Sequence, residues 1–124
     1  KNASVGSACT LFKDNDFNDP NNVKVYLSES NRAINFLRNV DQINLSKNKA
    51  KYFQHVGIYS YNYKTLSTFV SLPRSKNEIS ENLEQLRFLD NGHEIYLVEI
   101  EELSIGIDTE TDYKKALRIL NNND

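Results

Sequence analysis

The sequence predicts an α/β unit, a sheet begun by hairpin strands and completed by alternating helix and strand, in the order β-β-β-β-α-α-β-α. Three observations lead there. Residues 23–28 (VKVYLS) and 33–39 (AINFLRN) read as strands parted by a short polar turn, Glu29-Ser30-Asn31, the pattern of a hairpin. Residues 51–62 (KYFQHVGIYSYN) form the most β-like run of the chain. Two capping boxes, Ser75 with Glu78 and Thr109 with Asp112, open helices, and the strand 94–100 (EIYLVEI) lies between them.

Each element has its own signal. Residues 4–12 (SVGSACTLF) read as the first strand, and the Asp, Asn and Pro of 14–22 (DNDFNDPNN) as a loop. In the second strand Val23, Val25 and Leu27 alternate with Lys24, Tyr26 and Ser28, so the lysine is expected on the solvent face. Residues 40–50 (VDQINLSKNKA) are polar without a period and are expected as an exposed loop. In 51–62, Val56, Ile58 and Ser60 point one way, and His55, Gly57, Tyr59 and Tyr61 the other. A short helix, 63–72, stops before Pro73. One helix then runs from the Ser75 cap to Asn91-Gly92, with Ile79, Leu83, Leu86 and Leu89 as its buried stripe. The last helix puts Tyr113, Ala116, Leu117 and Leu120 on one face, with acids early and bases late, as the helix dipole favours.

Bulk properties exclude several classes of function. At 124 residues the chain is one domain or part of one, and no repeat or Pro/Gly/Ser-rich linker divides it. Seven Tyr and six Phe supply core material, so disorder is not expected. A net charge of -2 leaves no basic excess for nucleic acid. No apolar run approaches the roughly 20 residues that span a bilayer. The lone Cys9 cannot form an internal disulfide, which fits a cytoplasmic protein. With only four glycines, none in a strand-to-helix loop, a backbone phosphate cradle is absent from this segment. Neither a zinc spacing nor a serine or cysteine triad is found, and only two histidines exist. The chain opens on Lys1 with a strand beginning at residue 4, so further sequence is expected upstream.

Three places could carry chemistry. His55 and Tyr59 share a strand face across Gly57, where imidazole, bare backbone and phenol could hydrogen-bond a polyhydroxylated acid; the competing reading is a half-exposed sheet edge. Glu84 and Gln85 flank the apolar stripe of the LEQLR helix, and the competing reading is a Glu84–Arg87 ion pair. Asp108, in GIDTETD between a strand and a helix, could bind Mg²⁺, a hard ion that takes one or two protein carboxylates; otherwise it is a capping acid.

These places also occur as an ordered set. FQHVGIYSY, LEQLRFLDNGHEI and GIDTETDYKKAL, preceded by NDPNNVKVYLSES, resemble in order and spacing the CMP-Kdo synthetase (3-deoxy-manno-octulosonate cytidylyltransferase) family, from about residue 4 to residue 120. The resemblance implies the C-terminal half of a nucleotidyltransferase-like, Rossmann-like mixed sheet with a β-hairpin dimerisation region. It implies a cytoplasmic homodimer that joins CTP and Kdo into CMP-Kdo and pyrophosphate for lipopolysaccharide. His55 and Tyr59 would line the sugar pocket, Glu84 and Gln85 would contact Kdo, and Asp108 would be one of two aspartates holding Mg²⁺. No residue here is implied as a nucleophile, and the family's CTP-binding half has no counterpart in the chain. Where the family has Ser-Arg-Ala and a Pro-rich segment, this chain has Leu37-Arg38-Asn39 and VDQINLSKN, so Arg38 is the candidate for the sugar carboxylate. Two alternatives remain: a non-catalytic binding or dimerisation module, and a cytidylyltransferase for a related acid of the amino-Kdo or sialic type.

Overall fold

A computed structural model describes residues 4–42, 52–101 and 106–122. Its strands are β1 (Val5–Thr10), β2 (Lys24–Leu27), β3 (Ala33–Leu37), β4 (Tyr52–Tyr61) and β5 (Ile95–Glu99). Its α-helices are α1 (Tyr63–Ser71), α2 (Lys76–Glu81), α3 (Leu86–Asp90) and α4 (Glu110–Asn122). The five strands make one mixed sheet in the order β3-β2-β4-β1-β5. β1 pairs antiparallel with β4 and parallel with β5, and the β2–β3 hairpin joins through β2 to β4. The hairpin turn contains Asn31 in the left-handed region (φ 62°). Arg32 in this turn bridges Tyr96, and Leu97 donates its N–H to the Asn31 carbonyl at 2.9 Å. The sheet therefore curls until the hairpin turn meets the free edge of β5.

Inside the curl, Val5, Cys9, Val25, Phe36, Ile95 and Leu97 of the sheet pack with Phe69, Leu83, Leu86 and Phe88 of the helical segment. Each such side chain removed from water contributes about 1.5–3 kcal/mol. Burial, and secondarily Glu99, pushes the Cys9 thiol up to about 11, so this cysteine behaves as a small core residue. A satellite cluster joins Phe17 and Leu37, with Phe12 set edge-on to Phe17 at 5.1 Å between ring centres.

The expected hairpin, the strand at 51–62, the short helix ending before Pro73 and both capping boxes are present. Asn62, rather than a serine or threonine, caps α1 by accepting from the Thr65 N–H at 2.8 Å. Three expectations are corrected. Lys24 is 0% exposed instead of facing solvent. The loop before β2 folds back over it, and its ammonium donates to the carbonyls of Asp19, Asn22 and Arg38 at 2.7, 2.7 and 2.6 Å, replacing water. The single helix from Ser75 is two, α2 and α3, so three helices separate β4 from β5. Asn82 ends α2 with φ 54°, and this break turns Ile79 out to 58% exposure while Leu83 and Leu86 enter the core. The α4 face bearing Tyr113, Leu117 and Leu120 is exposed, and α4 buries no residue among those described. The remainder of the expected 40–50 loop beyond a 3-10 turn at Val40–Gln42 lies outside the described residues.

Candidate functional site

β4 does not run flat along β1. Ser7 opposes Tyr59, yet Ala8 opposes Val56, so Gly57 and Ile58 are looped out of register. A bulge of two residues preserves the alternation of the strand, and His55, Tyr59 and Tyr61 stay on one face. Their rings form a file. His55 and Tyr59 have ring centres 5.5 Å apart, Tyr59 and Tyr61 stack at 5.8 Å, and Tyr61 stacks on Phe88 of α3 at 5.6 Å. Phe36 of β3 closes the other end, edge-on to His55 at 5.0 Å. The bulge exposes Gly57, and a methyl group there would meet no protein atom within 4 Å.

His55 is held by Ser7, whose Oγ lies 2.8 Å from Nε2. Burial pushes the imidazole down to about 4, so it is neutral at physiological pH. The Tyr59 hydroxyl is driven above the ordinary phenol range, first by burial, then by Tyr61 and Glu84. Tyr61 is shifted the same way, by burial and then Glu84. Both phenols therefore remain hydrogen-bond donors, and the Glu84 carboxylate is their electrostatic neighbour.

Glu84 and Gln85 occupy the corner between α2 and α3 rather than the flanks of a helix. Phe88, stacked on Tyr61, carries this corner to the β4 face. Glu84 is exposed, whereas Gln85 is 7% exposed and its amide makes no hydrogen bond among the described residues. The expected Glu84–Arg87 ion pair is not formed. Arg87 instead grips Glu78 in two hydrogen bonds, Nε at 2.8 Å and a terminal nitrogen at 2.6 Å, with its guanidinium 4.3 Å above the Phe69 ring. Glu78 is a capping-box residue, and it closes a buckle across the corner.

Arg38 approaches the same corner from β3. Its guanidinium donates to the carbonyls of Glu81 and Asn82 at 3.3 and 3.4 Å, and to that of Pro20 at 3.3 Å. All three are long contacts to backbone, so in this structure Arg38 braces the end of α2. Asp108 stands apart, exposed at the entrance to α4. The cap is Thr109: its hydroxyl accepts from the Asp112 N–H at 3.1 Å, and Asp112 accepts from the Thr109 and Asp108 N–H groups at 3.1 and 3.2 Å. The Asp108 carboxylate has no part in that cap and makes no hydrogen bond or ion pair among the described residues. One free carboxylate suits Mg²⁺, which keeps most of its shell for water and phosphate oxygens. No group of three His, Cys, Asp or Glu that could hold a metal occurs among the described residues. No helix among them is long and apolar enough to cross a membrane.

Two participants escaped the sequence. Ser7 carried no signal, because its partner is 48 residues away. Glu78 was visible only as a cap, since Arg87 lies nine positions on, across a helix break.

No family model matches the chain. It is 42% identical over 111 residues to the 3-deoxy-manno-octulosonate cytidylyltransferase of Flavobacterium johnsoniae, covering 89% of this chain and 46% of that protein. To the enzyme of the same name from Parabacteroides distasonis it is 37% identical over 132 residues, covering 98% of the chain and 53% of the relative. A solved structure of a CMP:2-keto-3-deoxy-manno-octonic acid synthetase complexed with CTP superposes with a TM-score of 0.87 at 30% identity, covering 98% of this chain and 51% of that one. The chain spans about half the length of the relatives it matches.

Proposed function

The chain belongs to the 3-deoxy-manno-octulosonate cytidylyltransferase family, and from that premise we propose that it supplies the sugar-acid side of CMP transfer from CTP to Kdo, a step towards lipopolysaccharide. The observation that carries the reading is the shared face: His55 and Tyr59 are joined through Tyr61 and Phe88 to the Glu84–Gln85 corner. A neutral imidazole, a phenol, an amide without an internal partner among the described residues and a carboxylate offer both donors and acceptors to a polyhydroxylated acid. The anomeric hydroxyl of the sugar would attack the α-phosphorus of CTP, with pyrophosphate leaving. The residues described here hold and orient that hydroxyl, and none acts as a nucleophile. Asp108 would hold Mg²⁺, which when bound neutralises phosphate charge.

Arg38 belongs to the reading as a brace that could turn to the sugar carboxylate, its backbone contacts being long. Pairing of two copies in the cytoplasm is part of the same proposal. Exposed Ile58, Tyr63 and Val70, at 64%, 84% and 72%, offer apolar surface for it. The test of the function uses an enzyme that carries this chain with a CTP-binding half. His55→Ala and Gln85→Ala should raise KM for Kdo at least about tenfold, the worth of one good hydrogen bond, and leave KM for CTP within twofold. Equal effects on both substrates would refute the sugar assignment.

A further inference from the structure

Ser7 is 6% exposed and has a single hydroxyl proton to distribute among three neighbours. Its Oγ lies 2.8 Å from the Ile58 carbonyl, 3.3 Å from the Val56 carbonyl and 2.8 Å from His55 Nε2. Both carbonyls belong to the β4 bulge, whose looped-out residues turn them towards β1. A carbonyl can only accept. If Ser7 gave its proton to His55, the Ile58 oxygen would face a second lone pair at 2.8 Å with no hydrogen between them. The proton therefore goes to the Ile58 carbonyl, and the remaining contact requires Nε2 to be the donor.

We propose that Ser7 is a positioning residue that locks His55 in the tautomer protonated on Nε2, leaving Nδ1 as a hydrogen-bond acceptor for a sugar hydroxyl. This rests on the sugar-acid reading only for the nature of the ligand; the tautomer follows from the bulge. With Nε2 occupied, Nδ1 is the one hydrogen-bonding group that His55 has left. No hydrogen bond to it is found among the described residues. A carboxylate, itself only an acceptor, would meet a lone pair there. His55 thus reads a hydroxyl, and the carboxylate of the ligand falls to a donor such as the Arg38 guanidinium. The groups around the imidazole are consistent with a neutral ring. Phe36 and Tyr59 contact it from β3 and β4, Ser7 from β1, and no charged side chain touches it among those described.

The test is nitrogen NMR of the uniformly ¹⁵N-labelled full chain, where two histidines give two imidazole patterns and His93→Gln assigns them. At pH 7 the His55 long-range proton–nitrogen correlations should show the Nε2–H tautomer alone. Ser7→Ala should lose that single-tautomer pattern, and Ser7→Thr, which restores the hydroxyl, should keep it. An Nδ1–H or mixed pattern in the unmodified chain overturns the assignment, as does a pure Nε2–H pattern in Ser7→Ala. Should Ser7→Ala fail to fold, Ser7→Gly supplies the hydroxyl-free comparison, and a pure Nε2–H pattern there likewise overturns the lock. Adding Kdo separates the two layers. Movement of the Nδ1 resonance supports the hydroxyl contact. A correct tautomer with no response to Kdo refutes the sugar ligand while leaving the role of Ser7 intact.

Discussion

Replacing Glu78 by glutamine removes one negative charge and almost no volume, so it isolates the worth of the buckle across the Glu84–Gln85 corner. Glu78 is 2% exposed and accepts from Arg87 twice, from the Ser75 N–H at 3.0 Å and from Arg74 at 3.4 Å. The Arg87 hydrogen bonds hold its carboxyl down to about 2 from an ordinary 4.5. At 1.36 kcal/mol per unit, that depression contributes about 3 kcal/mol to folding at pH 7. Because the folded value lies below the unfolded one, the contribution is complete above about 4.5 and is lost as pH falls towards 2. Glu78→Gln should therefore cost about 3 kcal/mol at pH 7, or roughly 10 °C in Tm for a chain of this size. At pH 3 most of the difference is gone, leaving about 1 kcal/mol between the two proteins. Urea unfolding followed by far-ultraviolet circular dichroism, on both proteins at both pH values, measures the two gaps. A variant within 1 kcal/mol of the parent at pH 7, or a gap unchanged at pH 3, would refute the reasoning.

Lys24→Met deprives three backbone carbonyls of their donor and should cost about 2–3 kcal/mol in the same urea experiment, the saved desolvation of the ammonium offsetting part of the loss; a cost below 0.5 kcal/mol would show that water replaces the ammonium freely. Asp108→Asn should leave Tm within about 2 °C, because Thr109 and Asp112 make the cap. Turnover in an enzyme with both halves should fall about 100-fold as a metal carboxylate is lost, and pyrophosphate release across a Mg²⁺ series reads it; normal turnover at low Mg²⁺ would end the metal assignment. Gly57→Ala should change stability by less than about 0.5 kcal/mol, whereas Gly92→Ala, at φ 78° with equal open space, should cost about 1 kcal/mol for left-handed backbone; thermal melts of the pair compare them, and equal costs would contradict the geometry.

The residues that could be read directly are those whose partners lie within a few positions. Ser75 finds Glu78 three residues on, Thr109 finds Asp112 at the same distance, and the β2–β3 hairpin closes over a short turn. Such bonds form between groups that the local backbone geometry already brings together, so propensity and spacing suffice. The common face of His55, Tyr59 and Tyr61 was legible for a related reason: strand alternation is a local property, and a bulge of two residues does not invert it. The ordered motifs likewise identified the family.

Other features were decided only when distant segments met. Lys24 sits at a position whose alternation says solvent, and it is buried because a loop and the end of β3 bring three carbonyls over it. Asn82 breaks a pattern that reads as one helix, since entry of Leu83 and Leu86 into the curled sheet outweighs continuing the turn past Ile79. Arg87 prefers Glu78 across that break to its near neighbour Glu84, because Glu78 is already fixed by the cap and buried. Ser7 acquires a role only when the β4 bulge delivers two carbonyls and an imidazole to one hydroxyl. Periodicity and capping thus came from the sequence alone, because they depend on neighbours along the chain. Burial, pairing and protonation came from the tertiary structure, because desolvation and hydrogen-bond competition depend on which groups the fold places within about 3 Å.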